Sequence, residues 1–319
     1  MLEQLSVAVQ RLSAIRGVPL WLIAESDLNA PRFLRSPREG GYGLAASWAD
    51  EWHHALHAVL TGETDGYYSD FGSIEQLAKA LRQAWVYDGE YSIHRERSHG
   101  RSPTGLSGEQ FVVAAQNHDQ IGNRAAGDRL GALTSVGRCK IAAALLLTGP
   151  FVPLLFQGEE WAASTPFQYF TDHQDPDLGR AVSAGRTNEF AYFGWRPEDV
   201  PDPQDAATFD RSRLRWDELS EPPHAEMLAW YRSLITLRRN HFGLSAGPLD
   251  DVTVDYEADQ KWLTVKRAAA GLAVAVNLGD EARVVRLTGH VLLSSAPNVE
   301  RSSDGMLVLS PDSVVIVSS

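Results

Sequence analysis

The feature that most constrains the fold is a repeated unit in which an apolar run ends abruptly on acidic or amide side chains. It occurs as LWLIAESD over 20–27, as FVVAAQNHD over 111–119 and as FVPLLFQGEE over 151–160. Near-continuous apolar runs predict strands buried on both faces, as in a parallel sheet. Active sites of α/β barrels lie at the carboxyl ends of such strands. The pattern therefore predicts an α/β fold with polar side chains gathered at one edge of its sheet.

Helical patterns separate these runs. Leu2, Leu5, Val9 and Leu12 have the spacing of one helix face, and further helices are expected within 44–62, 73–85, 135–147 and 225–240. Val18–Ala24 is expected to be a strand buried on both faces. The charged segment 88–109 and the long, aromatic and Pro-rich segment 161–224 are expected to be loops, the second with a binding role.

After about residue 243 the sequence changes character. Short β-branched segments separated by turns, such as VTVDYE, WLTVKRA, LAVAVNL and SVVIVSS, predict a small antiparallel β-domain. We therefore predict two domains, residues 1–242 and residues 243–319.

Composition narrows the choice of ligand. The formal charge is −12 and no stripe of Lys and Arg is present, which argues against nucleic acid and anionic membranes as partners. The longest apolar stretch, 141–156, is too short for a membrane span and is interrupted by Gly149, Pro150 and Pro153. Nine Trp residues suit stacking on the flat apolar faces of sugars.

A single cysteine, Cys139, permits no internal disulfide, so a reducing cytoplasm is the simplest compartment.

Two carboxylates at predicted strand ends are the first candidates for catalysis. Retaining glycoside hydrolysis needs a general acid and a carboxylate nucleophile about 5–5.5 Å apart, and a further carboxylate often binds the sugar. Glu25 and Asp119 have suitable positions, although either could equally be a strand-end or helix-capping residue. His53 and His57 at i, i+4 could bind a metal, but no third ligand has a matching spacing, so neither metal nor cofactor is expected.

Several longer segments together resemble one family. LIAESD, GGYGLAASWADEWHHALHAVLTGE, AAQNHDQIGNRAAGDRL, LLFQGEEWAASTPFQYFTDH and GRTNEFAYFGW are similar, in order, to segments of the malto-oligosyltrehalose trehalohydrolases of the α-amylase superfamily (glycoside hydrolase family 13). The matches extend over most of residues 1–240. NHDQIGNRAAGDR and PFQYFTDH look specific to this branch, whereas Asn-His-Asp is shared across the superfamily.

The resemblance implies a retaining hydrolase of trehalose biosynthesis, which cuts the α-1,4 bond next to the terminal trehalose unit of maltooligosyl trehalose. By this resemblance Glu25 is the general acid/base and Asp119 is the carboxylate that stabilises the transition state. His118 would hydrogen-bond the sugar beside the cleaved bond. The other residues assigned to substrate binding are Asn117, Gln120, Asp50, His53 and His54. Where this chain has Glu51, the family more often has Asp.

One part of the family pattern does not occur in this sequence. The family's nucleophile is an Asp within a Gly-Phe-Arg-x-Asp-Ala strand, and an earlier strand supplies an Asn-His motif. The resemblance therefore implies the second half of a (β/α)8 TIM barrel followed by a small C-terminal β-sandwich. The chain would be either a piece of a longer enzyme or the partner of a separate N-terminal barrel half, and it would lack hydrolytic activity by itself.

Two other functions stay open at this point. A non-catalytic glucan-binding protein would explain the missing nucleophile and the aromatic segment 161–195. Another α-amylase-type enzyme, such as a glucan branching enzyme, would share the Asn-His-Asp motif, but the PFQYFTDH segment speaks against it.

Overall fold

A computed structural model describes residues 1–192, 195–244 and 247–318. The chain forms two compact units. The first consists of Met1–Ala115, Lys140–Leu154 and Ser233–Ser319, and the second of Gln116–Cys139 and Leu155–Arg232. The predicted domain boundary after residue 242 stays a prediction.

The regular elements alternate early in the chain and become all-β near its end. The helices are α1 Leu2–Arg16, α2 Asp50–Thr61, α3 Ile74–Gln83, α4 His118–Gly122, α5 Leu130–Leu133, α6 Val136–Thr148, α7 Pro176–Tyr192, α8 Ala206–Ser212 and α9 His224–Asn240. The strands are β1 Ile23–Ala24, β2 Ala46–Trp48, β3 Asp88–Ser92, β4 Arg97–Gly100, β5 Phe111–Ala114, β6 Val152–Leu154, β7 Val252–Glu257, β8 Trp262–Arg267, β9 Leu272–Asn277, β10 Arg283–Val285, β11 His290–Ser294, β12 Glu300–Arg301, β13 Leu307–Leu309 and β14 Ser313–Ser318.

A four-stranded parallel sheet lies in the first unit, in the order β1-β2-β5-β6. All four residues of β5 are buried, as its apolar sequence predicts. The prediction for Val18–Ala24 is wrong, since only Ile23 and Ala24 form a strand, and Val18 and Trp21 are 55% and 71% exposed. The reason is that β1 pairs only with β2 within the described residues, so an apolar sequence here occupies a sheet edge.

The three long helices at the start of the chain form as their spacing predicts. On α3 the apolar side is buried and packs against α2 and β7. Its first turn is held by a capping box in which Ser73 Oγ accepts from the N–H of Gln76 at 3.1 Å. The apolar side of α1 is different, because Leu5, Leu12 and Ile15 are exposed and Ser6 is the buried residue.

The C-terminal part of the first unit is antiparallel β-structure, as predicted. Strands pair in the order β11-β14-β9-β8-β7 in one sheet and β10-β13-β12 in a second. Side chains of both sheets share one apolar core, which includes Ala275 and Val317 of the first sheet and Leu307 of the second. The predicted loop at 88–109 is partly wrong, because β3 and β4 form an antiparallel hairpin inside it.

The second unit contains the whole segment 161–224 that was predicted as a long loop. That prediction is also partly wrong, since α7 and α8 are regular helices there. The resemblance segment GRTNEFAYFGW ends within this region, and its Phe193 and Gly194 lie outside the described residues. Among the helices that the structure describes, none combines the length and apolar character needed to cross a bilayer.

Candidate active site

Glu25 and Asp50 both follow strands at the carboxyl edge of the parallel sheet. Ala24 of β1 lies opposite Ser47 of β2 in the register of the pair. Glu25 is the next residue after Ala24 and is exposed, and Asp50 begins α2 three residues after Ser47. A solvent-facing carboxylate at this edge has the position that substrate chemistry on an α/β sheet requires.

His53 is buried on α2 and both of its ring nitrogens are bonded. Nδ1 lies 2.8 Å from the carbonyl oxygen of Ala115, and Nε2 lies 2.8 Å from the hydroxyl of Tyr68. A carbonyl can only accept, so Nδ1 carries the proton and Nε2 accepts from Tyr68. Burial, together with the neighbouring His57 and His54, holds the pKa of His53 well below its usual value. A sugar contact by His53 would therefore require the loss of an existing bond.

His54 lies in an aromatic cluster beside this pair. Its ring centroid is 5.1 Å from that of Tyr67 and 5.2 Å from that of Phe71. Burial, followed by the nearby His57 and Arg95, lowers the pKa of His54 to about 3. The ring is thus neutral at physiological pH and can act towards a ligand only as a neutral hydrogen-bonding group.

Glu51 is a buried acid whose hydrogen bonds were not predicted from the sequence. Its Oε2 accepts from the backbone N–H groups of Val86 and Tyr87, both at 2.8 Å, and its Oε1 lies 3.7 Å from Nε2 of His99. Burial raises the pKa of Glu51 to about 7 although these hydrogen bonds oppose it. Its partners are more than thirty residues away in sequence, so no local pattern could have revealed them.

Two replacements of Glu51 should distinguish the effect of its hydrogen bonds on stability from the effect of its charge. Glu51→Ala leaves the N–H groups of Val86 and Tyr87 without an acceptor, and we expect a loss of about 1–3 kcal/mol in the free energy of unfolding. Glu51→Gln keeps an acceptor oxygen and should retain most of the stability above pH 7. Urea denaturation at pH 8 measures both, and equal losses for the two variants would contradict this account of Glu51.

The paired histidines do not belong to a metal cluster. His53 and His57 have ring centroids 5.2 Å apart, but Nε2 of His57 bonds to Glu63 Oε2 at 2.7 Å. Across residues 1–192, 195–244 and 247–318, no group of three or more His, Cys, Asp and Glu side chains is arranged to hold a metal ion.

The Asn-His-Asp-Gln segment forms one tight turn in the second unit. Asn117 caps α4, with Oδ1 accepting from the N–H of Asp119 at 2.8 Å and of Gln120 at 3.4 Å. The Gln120 side chain accepts in return from the N–H of Asn117 at 3.0 Å. Both amides are buried, whereas the side chains of His118 and Asp119 are 61% and 49% exposed. The amides therefore shape the turn, and His118 and Asp119 face outwards, with 3.4 Å between Nε2 and Oδ1.

A buried acid in the second unit was also not assigned from sequence. Glu159 Oε1 accepts from the hydroxyl of Tyr231 at 2.8 Å, and Oε2 accepts from the N–H of Phe156 at 3.2 Å. Burial raises the pKa of Glu159 to about 8. The only sequence signal was its place after an apolar run, which is the same signal that marks Glu25 and Asp119.

Comparisons with known proteins found curated relatives that match nearly the whole chain. A malto-oligosyltrehalose trehalohydrolase from Rhizobium sp. (strain M-11) is 46% identical over 319 residues, which cover 99% of this chain and 53% of the relative. The same enzyme from Arthrobacter ramosus is 50% identical over 261 residues, which cover 82% of this chain and 44% of the relative. The chain is therefore similar to the malto-oligosyltrehalose trehalohydrolases along nearly its whole length. The resemblance inferred from its motifs is thereby confirmed.

The chain spans about half the length of the curated trehalohydrolases it matches. Among solved structures, a Salmonella typhimurium protein assigned to the α-amylases is 37% identical, with a TM-score of 0.83 over 97% of this chain and 53% of that one. The model of a Domain of unknown function (DUF3459) matches residues 249–316. These likenesses support an α-amylase-type fold with a C-terminal β-domain, whereas the roles of individual site residues stay predictions.

Proposed function

We propose that the chain supplies the second half of the barrel, and the acid/base, of a malto-oligosyltrehalose trehalohydrolase. The substrate would be maltooligosyl trehalose, cut at the α-1,4 bond next to the terminal trehalose unit. The observation that carries the proposal is the identity of 46% along 99% of the chain to an enzyme of that name. The exposed Glu25 at the carboxyl edge of the parallel sheet agrees with it.

In the proposed mechanism Glu25 moves the proton. A carboxylate nucleophile attacks the anomeric carbon while Glu25 protonates the glycosidic oxygen, and trehalose leaves. Glu25 then removes a proton from the water that attacks the same carbon and frees the nucleophile. Asp119 and His118 bind hydroxyl groups of the distorted sugar ring, and Asp119 binds them more strongly in the transition state. The family's nucleophile segment, Gly-Phe-Arg-x-Asp-Ala, does not occur in these 319 residues.

The proposed partner is the rest of the barrel. Ile15, Val18 and Trp21, on or just after α1, are 83%, 55% and 71% exposed. Ile23 of the edge strand β1 is 50% exposed. Large apolar side chains exposed within one short segment can mark an interaction surface. We propose that the nucleophile-bearing half packs on this face, whether it belongs to the same polypeptide or to a second one.

Reconstitution tests the function. Trehalose release from maltooligosyl trehalose should be undetectable with the purified chain alone. It should appear when the chain is co-expressed with the part of the Rhizobium protein that precedes the matching segment. The control is the Rhizobium protein divided at the same point. Turnover by the chain alone would overturn the assignment of the nucleophile, and failure of the hybrid while the divided control works would overturn the proposed function.

The alternative of a non-catalytic glucan-binding protein rests on exposed rings in the second unit. Tyr169, Trp195 and Trp216 are 45%, 39% and 65% exposed, and aromatic faces suit sugar stacking. In the reconstitution assay this alternative corresponds to an inactive hybrid whose chain still binds maltooligosaccharides in calorimetry.

A further inference from the structure

A cavity of about 490 Å³ lies within the second unit, and the proposed chemistry does not use it. Its wall is formed by parts of the segments 126–132, 136–139, 162–166 and 223–224. Small side chains make up much of this wall, among them Ala132 and Ala163. None of the described residues that line it belongs to the Asn117–Gln120 turn. Its volume lies in the range of small-molecule sites.

Arg129, which lines this cavity, has hydrogen-bond partners for only part of its guanidinium group. The residue is 3% exposed, Nε donates to the carbonyl of Thr165 at 2.7 Å, and Nη1 donates to the carbonyl of Gln157 at 2.7 Å. Nη2 is buried and has no hydrogen-bond partner in the described structure. Thr165 also lines the cavity, and its buried Oγ1 likewise has none.

An unpaired buried donor on a charged group is costly. Leaving a buried polar group unsatisfied costs about 1–3 kcal/mol, and more where the group is charged. Native proteins pair the great majority of such groups with protein atoms, ordered water or ligand. Two unpaired polar atoms on residues that line one cavity therefore point to a molecule that fills it.

The charges around Arg129 select the kind of molecule. Burial lowers the pKa of Arg129 to about 10, and the carboxylates of Glu159, Glu160 and Glu218 oppose that effect. Asp128 adds a further carboxylate to the cavity wall. An anionic ligand would meet the negative charges of Glu160, Glu218 and Asp128, and an apolar ligand would leave Nη2 and Thr165 Oγ1 unpaired. Hydroxyl groups both donate and accept, so a neutral polyhydroxylated ligand suits the whole set.

We propose that this cavity is a sugar-binding site for a neutral hexose or disaccharide, whose hydroxyl groups bind Arg129 and Thr165. The site is separate from the residues assigned to hydrolysis, and binding there does not require the proposed activity.

The test is calorimetric titration of the 319-residue chain with trehalose and with maltose, and with sodium phosphate as the anion. Ala132→Phe places a ring in the cavity from an exposed position on α5 and should abolish sugar binding there. Ala181→Phe, the same change at an exposed position of α7, is the matched control and should bind as the unmodified chain does. Each titration is repeated in Asp119→Ala, which removes binding at the proposed catalytic turn and should leave cavity binding unchanged.

Thr165→Val is a second test, in which the affinity for sugar and the stability of the free chain should change in opposite directions. Loss of a hydroxyl that bonds the sugar should weaken binding by about tenfold, while removal of an unpaired buried hydroxyl should raise the melting temperature of the free chain. Thr187→Val on α7, whose hydroxyl donates to the carbonyl of Ser183, is the control. Absence of sugar binding, binding that survives Ala132→Phe, or binding of phosphate alone would each overturn the proposal. Failure of the hydrolysis assay would not affect it.

Discussion

Glu25→Gln in the reconstituted enzyme should lower the rate of trehalose release by about 10²–10⁴-fold, the usual contribution of general acid–base catalysis. Glutamine keeps the size of the side chain but cannot protonate the leaving oxygen. Glu25 is exposed and lies at the end of the edge strand β1, so its replacement should leave folding unchanged. The measurement is initial rate on maltooligosyl trehalose, with the melting temperature as the check on folding.

A substrate with a better leaving group distinguishes lost acid catalysis from general damage. Fluoride leaves without protonation, so an α-maltosyl fluoride should still give Glu25→Gln a burst of fluoride of about one per active site. The glycosyl–enzyme intermediate should then persist, because no base activates water. The Asp119→Asn variant should be slow with both substrates, because the Asp119 carboxylate that it lacks stabilises the transition state whatever the leaving group. Absence of the fluoride burst in Glu25→Gln would contradict its role as the acid.

Glu159→Gln should make the stability of the protein less sensitive to pH. With a pKa of about 8 in the folded protein and 4.5 as its ordinary value, Glu159 binds its proton more tightly when folded. The unfolded chain therefore holds fewer protons between these values, and the free energy of unfolding should fall as pH rises from about 4.5 to 8. The fall in that window is on the order of 1 kcal/mol for each pH unit.

Glutamine resembles the protonated acid and keeps partners for the Tyr231 hydroxyl and the N–H of Phe156. The variant should therefore gain on the unmodified chain with every pH unit and exceed it clearly at pH 8. Urea denaturation at pH 5, 6.5 and 8 measures the difference, with Glu160→Gln as the control for removal of one carboxylate. Parallel pH profiles of Glu159→Gln and the unmodified chain would show that Glu159 titrates normally.

Local patterns predicted the elements whose partners are near in sequence or whose burial is complete. The buried run at 111–114 became β5, the amphipathic spacing at 74–83 became α3, and the short β-branched segments formed the C-terminal sheets. The prediction of a buried strand at 18–24 was wrong. An apolar composition indicates that a segment prefers burial, but it does not indicate how many neighbouring strands cover that segment. The prediction of a loop at 88–109 was wrong for residues 88–100, because their polar and charged composition does not indicate a strand. These residues nevertheless pair with one another as an exposed two-stranded hairpin.

In each unit the exposed candidate residues were predictable from the sequence, whereas the buried acids were not. Glu25, His118 and Asp119 follow apolar runs, and strand ends of this kind were recognised together with the family motif. The supporting role of Glu51 depends on backbone groups at Val86 and Tyr87, and that of Glu159 on Tyr231, 72 residues away. Such pairings arise from tertiary folding, and a single sequence carries no local record of them.

The capping box of Asn117 and Gln120 has a kinetic consequence for the proposed role of Asp119. The two amides fix the backbone of the turn during folding, so its conformational freedom is already lost before substrate arrives. The carboxylate of Asp119 is then preorganised, and little local rearrangement is required as charge develops on the sugar. Asn117 and Gln120, the two buried amides of this turn, would thus influence the activation entropy of the proposed reaction.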